Sequence, residues 1–152
     1  MKKKRQSYTG SVIRNPATQS IIKRQVETTL ATLKQDAELQ ALMGDAAARL
    51  VRDSGMLLFA VANACQTCRI SESEPDVRIL RGMAGALEQL ARFPATLDDH
   101  RPSIQSGLDA IERLIPRLDI FAIGNGFLNC DAAVKARGFG AADIHQMLGA
   151  DA

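Results

Sequence analysis

The sequence has no tryptophan, one tyrosine and only three cysteines among its 152 residues. Three cysteines cannot all pair within one chain, so the disulfide framework typical of a small secreted protein is excluded. The longest uncharged segment, residues 54–68, is 15 residues long, whereas a membrane-spanning helix needs about 20 apolar residues. The start Met-Lys-Lys-Lys-Arg is followed by polar residues instead of the apolar core of a signal peptide. We therefore expect a cytoplasmic protein without a membrane segment.

The composition favours helices. Hydrophobic residues make up 46% of the chain and charged residues 24%, close to the average for globular proteins. Alanine and leucine are the two most frequent residues, and both are strong helix formers. These features predict an all-α fold. We expect a flexible basic N-terminal arm, residues 1–14, and then a single helical domain, residues 15–152, built as a bundle of about four main helices with short C-terminal helices.

The first helix carries an apolar stripe that changes phase. Asn15-Pro16 predicts its start, with asparagine as N-cap and proline in the first helical position. Helical spacing then relates Ile22, Val26, Leu30, Leu33 and Ala37, but the next large apolar residues, Leu39, Leu42 and Met43, are out of phase with them. The phase change predicts a bend or break near residues 34–37. Gly44 should end this segment, and Asp45 should cap the next helix.

Apolar periodicity and helix breakers place the remaining elements. We expect a central second helix over residues 46–68 and a third ending at Phe93, which starts after a capping box formed by Ser73 and Asp76. Residues 94–102 are predicted to be a loop, and Pro116 to kink or end the fourth helix. Residues 120–128, which include Gly124-Asn125-Gly126, are ambiguous between turn, hairpin and helix. Two short helices are expected over residues 131–137 and 141–148.

The phase change also suggests a function. If one apolar set of the first helix faces the core, the other points away from it. An exposed apolar patch commonly marks a partner or dimer surface. The leading hypothesis is a non-enzymatic interaction protein, an adaptor, regulator or small assembly subunit, that binds another protein or itself. Its interface residues are expected to be Leu39, Leu42, Met43, Phe121 and Phe127.

The rival hypothesis is binding of nucleic acid by the arm. Residues 1–24 hold seven basic residues and no acid. The rest of the chain holds the other 12 basic residues and all 17 acids, so it is net acidic. Basic side chains can neutralise phosphates and an aromatic ring can stack on a base. The expected contacts with nucleic acid or another acidic partner are therefore Lys2, Lys3, Lys4, Arg5, Tyr8, Arg14, Lys23 and Arg24. A solvated terminus is the alternative interpretation. Residues 133–147, with Gly138-Phe139 at the turn, resemble a helix-turn-helix element, and a terminal helical hairpin explains the same spacing.

Catalytic signals are weak. Cys65 and Cys68 would lie on one helix face, where they and Cys130 are candidates for a metal or redox site, but core packing explains the same cysteines. No nucleophile is placed beside His100 or His145 by the sequence. We therefore expect no enzyme activity and no cofactor.

Overall fold

The computed structural model describes residues 15–136 and 140–149, and within these ranges all regular structure is helical. The six α-helices are α1 (Pro16–Met43), α2 (Ala47–Thr67), α3 (Pro75–Arg92), α4 (Leu97–Leu114), α5 (Ile120–Ala136) and α6 (Ala141–Met147). Short 3₁₀ turns, Pro94–Thr96 and Ile115–Arg117, flank α4. In the described part of the chain, no helix is both long and apolar enough to cross a membrane.

Helix α2 lies at the centre of the bundle. It contacts each of the other five helices, most extensively α5. Its buried positions surround much of its circumference, which is the pattern of a helix covered by neighbours on several sides. Leu57, Leu58 and Val61 are fully buried there. The prediction of a central second helix is confirmed.

Helix α1 is continuous through residues 34–37, so the expected break was wrong. The start was predicted correctly: the Asn15 side chain accepts a hydrogen bond from the Ala17 N–H at 2.9 Å. The core-facing stripe continues through Ala37 and Ala41, both fully buried. These small residues let α1 stay close to its neighbours, while Leu39, Leu42 and Met43 point outward.

Several predicted boundaries need correction. Ala46, not Asp45, occupies the N-cap position of α2, and Glu74 occupies that of α3, so the Ser73–Asp76 capping box does not form. Helix α4 already begins at Leu97, within the expected loop, and Pro102 lies inside it. The prediction for Pro116 is confirmed, because α4 gives way to a 3₁₀ turn at that point.

The C-terminal segment also differs from the prediction. Residues 120–136 form one helix, so the expected short helix over residues 131–137 is the end of α5. The expected position of α6 is confirmed. Arg81 of α3 is half-buried and donates a hydrogen bond to the Leu148 carbonyl at 2.6 Å. This bond ties the end of the described chain to α3.

One arginine fixes the end of α1. Arg101 of α4 donates hydrogen bonds to the carbonyl oxygens of Gln40 (3.1 Å), Ala41 (3.0 Å) and Gly44. A helix leaves its last four carbonyls without intrahelical partners, and a guanidinium supplies several donors in one plane. The same guanidinium donates a hydrogen bond from its Nε to Asp98 Oδ1 at 2.8 Å. Arg101 therefore anchors the C-terminal end of α1 to α4.

Candidate interaction surface on helix α1

The C-terminal end of α1 exposes three large apolar side chains to solvent. Leu39, Leu42 and Met43 are 50%, 69% and 70% exposed. Their spacing of three and four residues places them side by side on one face of α1. Isolated exposed apolar residues are ordinary on protein surfaces, but adjacent ones on a rigid element form a patch. We call these three residues the apolar cluster of α1.

The two phenylalanines of the expected interface lie elsewhere. Phe121 and Phe127 of α5 are half-buried. Phe127 lines a groove of about 730 Å³ that runs between α5 and the N-terminal half of α1, residues 20–29. The nearest residue of the apolar cluster is ten residues farther along α1, or about 15 Å. The structure therefore brings Leu39, Leu42 and Met43 together but does not place Phe127 beside them.

Ile21 also lies on this face of α1, although the sequence pattern did not single it out. Its side chain is 59% exposed at the other end of α1 and lines the same groove as Phe127. The sequence does hold a sign of its exposure, because Ile21 is directly followed by Ile22, which belongs to the core-facing stripe. Neighbouring positions on a helix point about 100° apart, so both cannot face the core equally well.

Most residues of the proposed nucleic-acid site lie outside the described residues: Lys2, Lys3, Lys4, Arg5, Tyr8 and Arg14. The other two, Lys23 and Arg24, are exposed near the start of α1. Lys23 Nζ is 3.9 Å from Glu27 Oε1, a loose ion pair. The turn of the helix-turn-helix resemblance, residues 137–139, is also outside the described part.

The cysteines lie in core positions. Cys65 and Cys130 are buried and Cys68 is half-buried. Burial raises the pKa of the Cys65 thiol to about 12 and that of Cys130 to about 11, so both stay protonated at neutral pH. Metal binding and nucleophilic chemistry need the thiolate. Within residues 15–136 and 140–149, no group of three or more His, Cys, Asp or Glu side chains is arranged to hold a metal ion.

Two aspartates and an arginine link α1 to α2. Asp53 is 4% exposed, and its pKa is raised by burial and by a hydrogen bond with Asp36. The same hydrogen bond, together with Arg49, lowers the pKa of Asp36. Arg49 Nη2 lies 2.8 Å from Asp36 Oδ1 and its Nε lies 3.9 Å from Asp53 Oδ2. The arginine bridges both carboxyl groups, so this cluster holds the two helices together.

Comparison with known proteins adds no family to this description, because no family model, curated protein or solved structure matches the chain. Any function must therefore be argued from the residues themselves.

Proposed function

We propose that the protein is a non-enzymatic interaction protein, an adaptor, regulator or small assembly subunit, that binds a protein partner through the outward face of α1. The observation that carries the proposal is the apolar cluster, Leu39, Leu42 and Met43, exposed on a helix end that Arg101 anchors to α4. Burial of one large apolar side chain contributes about 1.5–3 kcal/mol. A rigid surface loses little conformational entropy when it binds, so more of this energy remains for affinity.

The proposal assigns no catalytic step and no cofactor to the chain. His100 lies in α4 and His145 in α6, and the two buried thiols are protonated at neutral pH. A reducing cytoplasm suits three cysteines that are all unpaired.

Co-purification from native cells tests the proposal. The tagged full-length chain should retain a protein partner, and the triple variant Leu39→Ser/Leu42→Ser/Met43→Ser should weaken that retention by more than about tenfold, because it removes three anchors from one contact. Val134→Ser is the matched control, because Val134 is 54% exposed on α5 and lies outside the cluster. Equal retention by the wild type and the triple variant contradicts the proposal.

Nucleic-acid binding is the second candidate function, and the charge of the N-terminal segment favours it. Residues 1–24 contain seven basic residues and no acid. Each neutralised phosphate contributes roughly −0.9 to the log–log slope of affinity against salt on duplex and about −0.7 on single strands. Contacts from three to five of these side chains therefore predict slopes of about −2 to −4.5.

Deletion of residues 1–14 should abolish this binding and leave the melting temperature nearly unchanged, since the core residues of α1 begin after the deleted segment. Oligonucleotide titrations with intact and truncated protein at two salt concentrations measure both effects. Absence of salt-sensitive binding by the intact protein eliminates the second candidate and leaves the first in place.

A further inference from the structure

The outward face of α1 extends beyond the apolar cluster as a regular seam. Its members recur at alternating intervals of four and three residues, are all exposed and carry no charge: Ile21, Gln25, Thr28, Thr32, Gln35, Leu39 and Leu42. An average spacing of 3.5 residues is the heptad pattern by which one helix packs along another. The opposite face of α1, with Val26, Leu30 and Ala37, is buried in the bundle. The seam is therefore a continuous uncharged strip along α1 that the described helices leave exposed.

The seam matches itself when a second copy is reversed. If two α1 helices pack antiparallel with their two-fold axis near Leu30 and Ala31, Ile21 of one copy meets Leu39 of the other at both ends. Between these apolar ends, Gln25 meets Gln35, and Thr28 meets Thr32. A two-fold interface requires this reciprocity, in which residue i contacts j and j contacts i. The threonines are small and the glutamines can hydrogen-bond to each other, so each middle residue is compatible with the residue opposite it.

The charges that border the seam obey the same symmetry. Arg24 and Glu38 flank it on one side, each seven residues from Ala31. In an antiparallel pair with this register, Arg24 of each copy faces Glu38 of the other, giving two ion pairs with the two Ala31 residues between them. A parallel pair does not bring these residues together.

Both charged groups are accessible for such a contact. Arg24 is exposed, and the Glu38 side chain is 47% exposed. Lys34 Nζ lies 2.9 Å from Glu112 Oε1 but 3.9 Å from Glu38 Oε1, so its closer partner is on α4. Glu38 can therefore pair with a second molecule while Lys34 keeps its contact with Glu112.

We infer that the protein partner of the α1 face is a second copy of this chain, bound as an antiparallel α1–α1 pair with Ile21 against Leu39 and Arg24 against Glu38. This inference rests on the proposed function and specifies its partner. The polar middle layers make the dimer weak and reversible, because they bury little apolar surface. The apolar ends and the flanking charges define the register, since a one-heptad shift separates Ile21 from Leu39 and Arg24 from Glu38.

Charge reversal tests the register. Sedimentation of the full-length chain over a range of concentrations should show a monomer–dimer equilibrium. Arg24→Glu and Glu38→Arg, each alone, place like charges together at two symmetric positions and should raise the dimer Kd by about tenfold or more. The double variant Arg24→Glu/Glu38→Arg restores opposite charges and should return the Kd to near the wild-type value. Lys23→Glu, the matched control, changes a neighbouring charge outside the seam and should leave the Kd nearly unchanged.

Three results would overturn the inference: a wild-type chain that stays monomeric at every concentration, a dimer that the single reversals do not weaken, or a double variant that binds no tighter than the single variants. None of these results decides the proposed function, because binding of a different protein to the apolar cluster is measured separately by co-purification with the Leu39, Leu42 and Met43 variant.

Discussion

Leu58→Ala is expected to lower the free energy of unfolding by about 2–5 kcal/mol. Leu58 is completely buried near the middle of α2, the helix that contacts all five others. Truncation removes apolar transfer energy and leaves a cavity that neighbours on several sides cannot all move to fill. Chemical denaturation monitored by circular dichroism measures the loss.

The matched control is Leu42→Ala, the same substitution at a leucine that is 69% exposed. At a concentration where the chain is monomeric, it should change the free energy of unfolding by no more than about 0.5 kcal/mol, because the side chain has little packing to lose within one molecule. A loss below about 1 kcal/mol at Leu58 would mean that α2 is not the centre of the core.

Gly126→Ala is expected to destabilise the fold by about 1–3 kcal/mol, at the upper end of this range. A Cβ atom on Gly126 would lie 2.5 Å from the carbonyl oxygen of Ala60 and 2.6 Å from its Cα. Because both contacts are with backbone, no side-chain rotation relieves them, and α5 has to move away from α2. The melting temperature should fall accordingly.

Gly82→Ala provides the opposite expectation. A Cβ at Gly82 meets no atom within 4 Å, and the residue is solvent-exposed in the middle of α3. Alanine there should stabilise the protein by about 0.5–1 kcal/mol, because it reduces the entropy of the unfolded chain and favours the helix. A Gly126→Ala variant whose melting temperature did not fall would contradict the close contact between α5 and α2.

Gly126 also explains why the sequence left the structure of residues 120–128 ambiguous. Gly124-Asn125-Gly126 has the local preference of a turn, since both residue types favour turns over helices. In the structure these residues lie within α5, where Gly126 permits the backbone of Ala60 to approach. Tertiary packing overrides propensity here, and no pattern within the segment could reveal a contact with a residue so distant in sequence.

The outward face of α1 shows a different limit. Sequence periodicity identified Leu39, Leu42 and Met43 as out of phase with the core stripe, and the structure exposes all three. The inferred break was wrong because Ala37 and Ala41 continue the core stripe. Alanine contributes little to an apolar pattern, yet a close helix contact requires a side chain of that size. The hydrogen bonds from Arg101 to the end of α1 left no sequence signal, because these partners lie 57–61 residues away.

Prolines caused the misplaced start of α4. Pro94 and Pro102 bracket residues that the sequence assigned to a loop, because proline usually interrupts a helix. Pro94 opens a 3₁₀ turn, where its missing N–H is not needed. Pro102 lies within α4, where it removes one backbone hydrogen bond. The cost is tolerated because Leu97 and Ile104, on either side, are buried in the core.

Photo-crosslinking in native cells tests the central claim, that the outward face of α1 contacts protein. A benzophenone amino acid replaces Leu42 in the full-length chain, and in a control chain it replaces Val134, which is similarly exposed on α5. The account predicts a discrete protein adduct from position 42 that position 134 does not give, with twice the mass of the chain if the partner is a second copy. No protein adduct at position 42, or the same adduct from both positions, would contradict the account.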